Sequence, residues 1–118
     1  MSMLRVPKPI IFNQQLTVAL AGCEYPVPVN TWATISAALF NNTTITAQTI
    51  TVHVVPTGGS ATVANQIATA ITVPPMGSAP TVVGALIGQH LNPGDKLTML
   101  CSAAASVTPY VSAYLTTL

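Results

Sequence analysis

The chain has 118 residues, five of them charged and half of them hydrophobic, with a formal net charge of +1 from Arg5, Lys8 and Lys96 against Glu24 and Asp95. That length suits one domain with a core of its own, the charge balance offers no basic stripe for phosphates and so speaks against nucleic acid, and no stretch reaches the roughly 18 apolar residues of a membrane span. Two carboxylates leave little from which to build acid–base chemistry, while soluble domains carry roughly a quarter or more of their surface as charge; the composition therefore predicts neutral faces buried against partner chains, and no enzyme.

Residues 1–13 hold Arg5 and Lys8 beside Pro7 and Pro9. Each proline confines its predecessor to extended geometry, which predicts an extended arm lying outside the sheets, with the domain occupying residues 14–118. The opening segment lacks an unbroken apolar run before a small-residue cleavage site, so no secretory signal is expected there. Cys23 and Cys101 are then expected as free thiols of a protein made in a reducing cytoplasm, a bridge between them being the alternative.

Leu16, Val18 and Leu20 alternate as in a first strand, and Glu24–Val29 follows as a proline-punctuated connection that cannot be a central strand. From Thr31 the alternation places Ala33, Ile35, Ala37 and Leu39 on one face and Trp32, Thr34, Ser36, Ala38 and Phe40 on the other. After a turn at Asn41–Thr44, the strand Thr49–Val55 turns Ile50, Val52 and Val54 inward and Thr49, Thr51 and His53 outward, and ends at Pro56-Thr57-Gly58-Gly59. Residues 61–66 suit a helical turn or a loop. Ile67, Thr69, Ile71 and Val73 share a face of the next strand, and Gly84 interrupts a weaker one over Thr81–Ile87. Asn92-Pro93-Gly94-Asp95 fits a type II turn. It launches Lys96–Ser102, with Leu97, Met99 and Cys101 inward, and a last strand, Val107–Leu115, starts at a sheet edge because of Pro109.

Seven or eight short strands with turn signals about every ten residues, and no amphipathic helix, predict a single antiparallel β-sandwich or jelly-roll-like domain with an extended N-terminal arm. Its core is expected to hold Ile35, Leu39, Ile50, Val52, Val54, Leu97, Met99 and Val111.

No catalytic, cofactor or metal site emerges. Glu24 and Asp95 both sit beside turn residues, where carboxylates face water, and His53, His90, Cys23 and Cys101 lack the spacing of a zinc site. Trp32, Phe40, Tyr110 and Tyr114 lie opposite the aliphatic stripes, as interface aromatics do, or else cap a second small core. With Arg5, Pro7, Lys8 and Pro9 of the arm and His53 among outward threonines, they form the expected interface set.

The order of motifs from Tyr25 to Ala113 resembles a family of short β-sandwich virion proteins of tailed bacteriophages. Carrying it are Pro28-Val29-Asn30-Thr31-Trp32 ahead of a strand ending Phe40-Asn41-Asn42-Thr43, then Val52-His53-Val54-Val55-Pro56-Thr57-Gly58-Gly59-Ser60-Ala61, Leu91-Asn92-Pro93-Gly94-Asp95-Lys96-Leu97, a small-residue loop and a closing strand. The resemblance implies a particle component without enzymatic activity. The resulting expectation is a capsid decoration (cement) protein, made in the host bacterial cytoplasm, that sits on the capsid exterior and binds the major capsid protein and copies of itself as a dimer or trimer. A tail, collar or fibre-base component is the alternative. A carbohydrate-binding sandwich is the reading from another class, and the scarcity of acids speaks against it.

Overall fold

The computed structural model of the chain describes residues 4–19 and 23–117; expectations placed on residues 1–3, 20–22 and 118 lie outside that range. Among the described residues the strands are β1 (Leu4–Ile11), β2 (Glu24–Pro26), β3 (Thr31–Asn42), β4 (Gln48–Val55), β5 (Gln66–Val73), β6 (Thr81–Val82), β7 (His90–Leu91), β8 (Lys96–Cys101) and β9 (Val107–Thr117). They form two antiparallel sheets. One runs β1-β9-β3 with β6 and β7 both against the far side of β3, and the other runs β2-β8-β4-β5. Packed together over a shared core, the two make the expected all-β sandwich.

Val, Thr and Tyr make up most of β9, and Thr, Ile, Trp and Phe alternate with alanines in β3, side chains that fit a pleated, half-buried surface, and these two longest strands pair along eleven register positions from Thr31↔Thr117 to Asn42↔Val107. The expected alternation holds in the first half of β3, where Thr31, Ala33 and Ile35 are buried. It then inverts. Ile35 stands opposite Ala113 but Ala37 opposite Ser112, so Ser36 is an extra residue, and the bulge moves every later side chain to the other face. Ala38, Phe40 and Asn42 point into the sandwich and Leu39 points out. Phe40, expected at an interface, is thus a core residue at 0% exposure, and Leu39, expected in the core, is 36% exposed.

The other sheet keeps its phase where β4 meets β8. Ile50, Val52 and Val54 oppose Cys101, Met99 and Leu97 in unbroken register, and of these six all but the half-buried Val54 are fully enclosed. Toward β5 the pairing breaks, because Ile50↔Ile71 and Val52↔Ala68 leave an extra residue at Thr69–Ala70, where Ala70 takes a φ of +50°. The expected stripe on β5 is corrected accordingly: Ala68 and Val73 are buried, Ile67 and Ile71 half-buried, and Thr69 exposed.

Two further expectations change. Residues 15–19 form no strand; Leu16 is instead fully buried, its N–H donating to Val107 O (2.8 Å) and its carbonyl accepting from Ala105 N (3.2 Å). Nor does the N-terminal segment lie outside the sheets. It is extended, as its prolines require, but pairs with β9 from Leu4↔Thr117 to Ile11↔Val111 as an edge strand, and it contributes Ile11 to the core. An edge tolerates proline because one side of the strand needs no donors. Pro109 obeys the same rule, since β1 reaches only to Val111 and leaves the start of β9 flanked by β3 alone.

The stretch after β6 turns at residues 84–88 and follows β3 irregularly: Ile35 donates to Gln89 O (2.9 Å) and accepts from Gly88 N (2.8 Å), while Val83 and Leu86 anchor it in the core. The Asn92–Asp95 turn is as expected, with Asp95 N donating to Asn92 O at 3.0 Å and Gly94 at φ +87°. A side chain at Gly94 would also meet Thr57 Oγ1 at 2.7 Å, so both conformation and space demand glycine.

Both cysteines are free and buried. Burial pushes the Cys23 thiol up to about 11, which leaves about one thiolate per thousand molecules at pH 8. A disulfide exchange reagent at that pH is therefore expected to label neither cysteine in the folded protein and both in denaturant, read by the absorbance of the released thiol.

Candidate interaction surface

The register of β1, β9, β3 and β7 decides which side chains share the outer face of the five-stranded sheet. Val107, Pro109, Val111 and Ala113 of β9 point inward, so Tyr110, Ser112, Tyr114 and Thr116 point out. Each heads a row across the sheet: Arg5, Thr116 and Trp32; Pro7, Tyr114, Thr34 and His90; Pro9, Ser112 and the bulge at Ser36; Tyr110, Leu39 and Val82.

Short contacts hold the face in place. The Arg5 guanidinium lies 4.4 Å from the centroid of the Tyr114 ring, a cation–π contact worth about 0.5–1 kcal/mol at an exposed site. Thr34 Oγ1 and His90 Nδ1 are 3.2 Å apart, and Ser36 and Ser112 hydroxyls 3.0 Å. Leu39, Tyr110, Tyr114 and Val82 nonetheless keep 36%, 43%, 38% and 57% of their surface open. The one permanent charge among these rows is Arg5, and neither carboxylate belongs to them: Glu24 is in β2 of the other sheet and Asp95 in the turn before β8. A nearly uncharged, aromatic-bearing platform with one cation needs little desolvation of charge to dock.

No family model matches the chain, and no curated protein matches it. Among solved structures, the structure of infectious bursal disease virus Gx strain is similar at 15% identity with a TM-score of 0.46, over 98% of this chain and 32% of that one. The chain spans about a third of the length of that structure's chain.

Of the residues expected at an interface, Arg5, Pro7, Pro9, Trp32, Tyr110 and Tyr114 come together on this one face. Lys8 does not: it opposes Ala113 on the inward side, yet β1 is an edge strand and its side chain reaches solvent. Phe40 is in the core. His53 points outward from β4 as expected but is only 4% exposed, where the connection after Pro56 returns to place Gln66 opposite it. Sequence reasoning missed Leu39 and Val82, the first through the bulge at Ser36 and the second because β6 is only two residues long. It also missed the Thr34–His90 and Ser36–Ser112 contacts, for which a single sequence holds no signal. Among the described residues no three His, Cys, Asp or Glu side chains gather as metal ligands would.

Proposed function

We propose that the chain is a non-enzymatic virion structural protein, a capsid decoration (cement) protein that seats the outer face of its five-stranded sheet on the exterior of an assembled shell and strengthens contacts between major capsid proteins. The observation that carries this reading is that face: broad, nearly uncharged, and bearing Tyr110, Tyr114, Trp32 and Leu39 with no carboxylate. A protein present in hundreds of copies on a lattice gains from such a surface, because neighbours of like charge would repel one another. Binding to the assembled shell stabilises that shell by mass action. The resemblance in motif order to phage β-sandwich virion proteins supports the same assignment, and copies of the chain, as a dimer or trimer, complete the set of partners.

The test is to count copies per particle, by quantitative mass spectrometry of virus produced with this chain, after washes in rising sodium chloride and in urea. Screening weakens exposed charge pairs and hardly touches apolar burial, so attachment is expected to survive about 1 M salt and to fail in moderate urea, with hundreds of copies per capsid. Tyr114→Asp is expected to fold yet attach at least tenfold less. Loss at modest salt, or wild-type attachment by that variant, would reject the face; about a dozen copies at one vertex would move the protein to the tail or collar.

A further inference from the structure

His53 and Thr98 oppose each other on the outer side of the four-stranded sheet, where a sandwich ordinarily meets water, yet they are 4% and 3% exposed. The connection from Pro56 to Gln66, with its single 3-10 turn at Val63–Asn65, returns beside His53, where Gln66 opposes it, and roofs this area in part: Gly59, Ser60 and Ala61 form one wall of a half-open pocket of about 290 Å3 whose other walls are Glu24, Val55, Lys96 and Thr98. The roof is tied internally and at its ends. Thr57 donates through N and Oγ1 to Asp95 Oδ1 (both 3.1 Å), and Asn65 accepts from Thr62 N (2.9 Å) and donates to Ser60 O (2.9 Å). Beneath it, His53 Nδ1 and Thr98 Oγ1 have no hydrogen-bond partner. Neither atom gains a protein partner from the closed arrangement, so the roof is held by its own hydrogen bonds and not by theirs.

We propose that the Pro56–Gln66 roof is a proton-operated cover, closed over a neutral His53 and lifted when the imidazole takes up a proton. The groups facing His53 make the imidazolium unwelcome while the roof is closed. Gln66 opposes it from β5 and Thr98 from β8, both uncharged; Lys96, a cation, lines the pocket on the far side of Thr98; Glu24 of β2 stands beyond Thr98 in the row; and residues 56–66 carry no charge. Asp95, which holds Thr57, is the remaining ionisable group at the roof. Burial lowers the pKa of His53 from its ordinary 6.5. Below 6.5 the open form, with a solvated imidazole, therefore binds more protons than the closed one, and the closed state loses stability as pH falls from there toward the lowered value. Above 6.5 the closed state keeps its full advantage.

Amide hydrogen exchange of residues 57–65, corrected for intrinsic rates, tests this on the whole chain between about pH 7.5 and 4.5. The roof's opening constant is expected to rise about tenfold for each unit by which burial lowers the pKa, while β8 stays protected. His53→Gln removes the rise, and His90→Gln, Glu24→Gln and Asp95→Asn retain it. A flat wild-type profile, the same rise in His53→Gln, or its loss in Glu24→Gln or Asp95→Asn would overturn the proposal. Should His53→Gln not fold, carbon shifts of the wild-type His53 ring decide: titration coinciding with roof opening supports the cover, and titration in a separate pH range overturns it.

Discussion

A Val52→Asp protein is expected to accumulate as unfolded, insoluble chain. Val52 is fully buried in the middle of β4, opposite Met99, which is fully buried too. The adjacent buried imidazole, His53, points to the other side of the sheet, and among the buried residues on Val52's own side there is no basic side chain to pair with a carboxylate. Burying the charge without a partner, or protonating the acid and leaving it without hydrogen bonds, each costs several kcal/mol; losses above about 4–5 kcal/mol approach the 5–15 kcal/mol that holds a typical domain together. The readouts are the soluble fraction after expression and the far-ultraviolet circular dichroism of what remains soluble. A cooperative thermal transition at the wild-type temperature would place Val52 on the wrong face.

Phe40→Ala and Leu39→Ala form the second test, and its outcome rests on one inserted residue. Without the bulge at Ser36, Leu39 would fill the core and Phe40 would face solvent. With it, Phe40 is fully enclosed opposite Pro109, and Leu39 sits on the open face between Tyr110 and Val82. Removing a buried phenyl ring forfeits its transfer free energy and leaves a cavity, about 3–5 kcal/mol in all. Trimming a leucine at the surface costs about 1 kcal/mol or less. Urea unfolding is expected to show the larger drop in midpoint for Phe40→Ala at an unchanged slope, and the reverse order would remove the bulge from β3.

What could be read from the chain, and what could not, divides along these same lines. Period-two alternation placed Ile50, Val52, Leu97, Met99 and Cys101 correctly, because β4 and β8 pair without interruption and a strand with one buried face declares its phase. The Pro93-Gly94 turn was equally legible, since its conformation depends on two residue types at adjacent positions. Bulges are different. Neither Ser36 nor Ala70 differs in kind from its neighbours, and the extra residue becomes visible only when the partner strand is laid beside it. His53 shows a third limit: its direction from β4 followed from alternation, while its burial depends on where the connection to β5 comes back beside it. The aromatic face was half legible. Trp32, Tyr110 and Tyr114 were recognisable as leaving the aliphatic stripe, but their convergence with Arg5 required knowing that β1 lies beside β9.

The position of β1 at the rim of its sheet carries one more consequence. In a paired strand, the N–H and C=O of alternate residues point to the same side, and a proline can sit only where no donor is needed. Pro7 and Pro9 are two residues apart in β1, so both turn toward the free rim and leave it with carbonyl oxygens but no N–H at those positions. Two such rims brought together would set acceptor against acceptor. Proteins commonly prevent runaway strand stacking by placing lysines along their rims, and β1 carries Arg5 and the exposed Lys8 beside its two prolines. Charge and backbone thus guard the same edge, and the rim resists pairing with a second rim by two independent means.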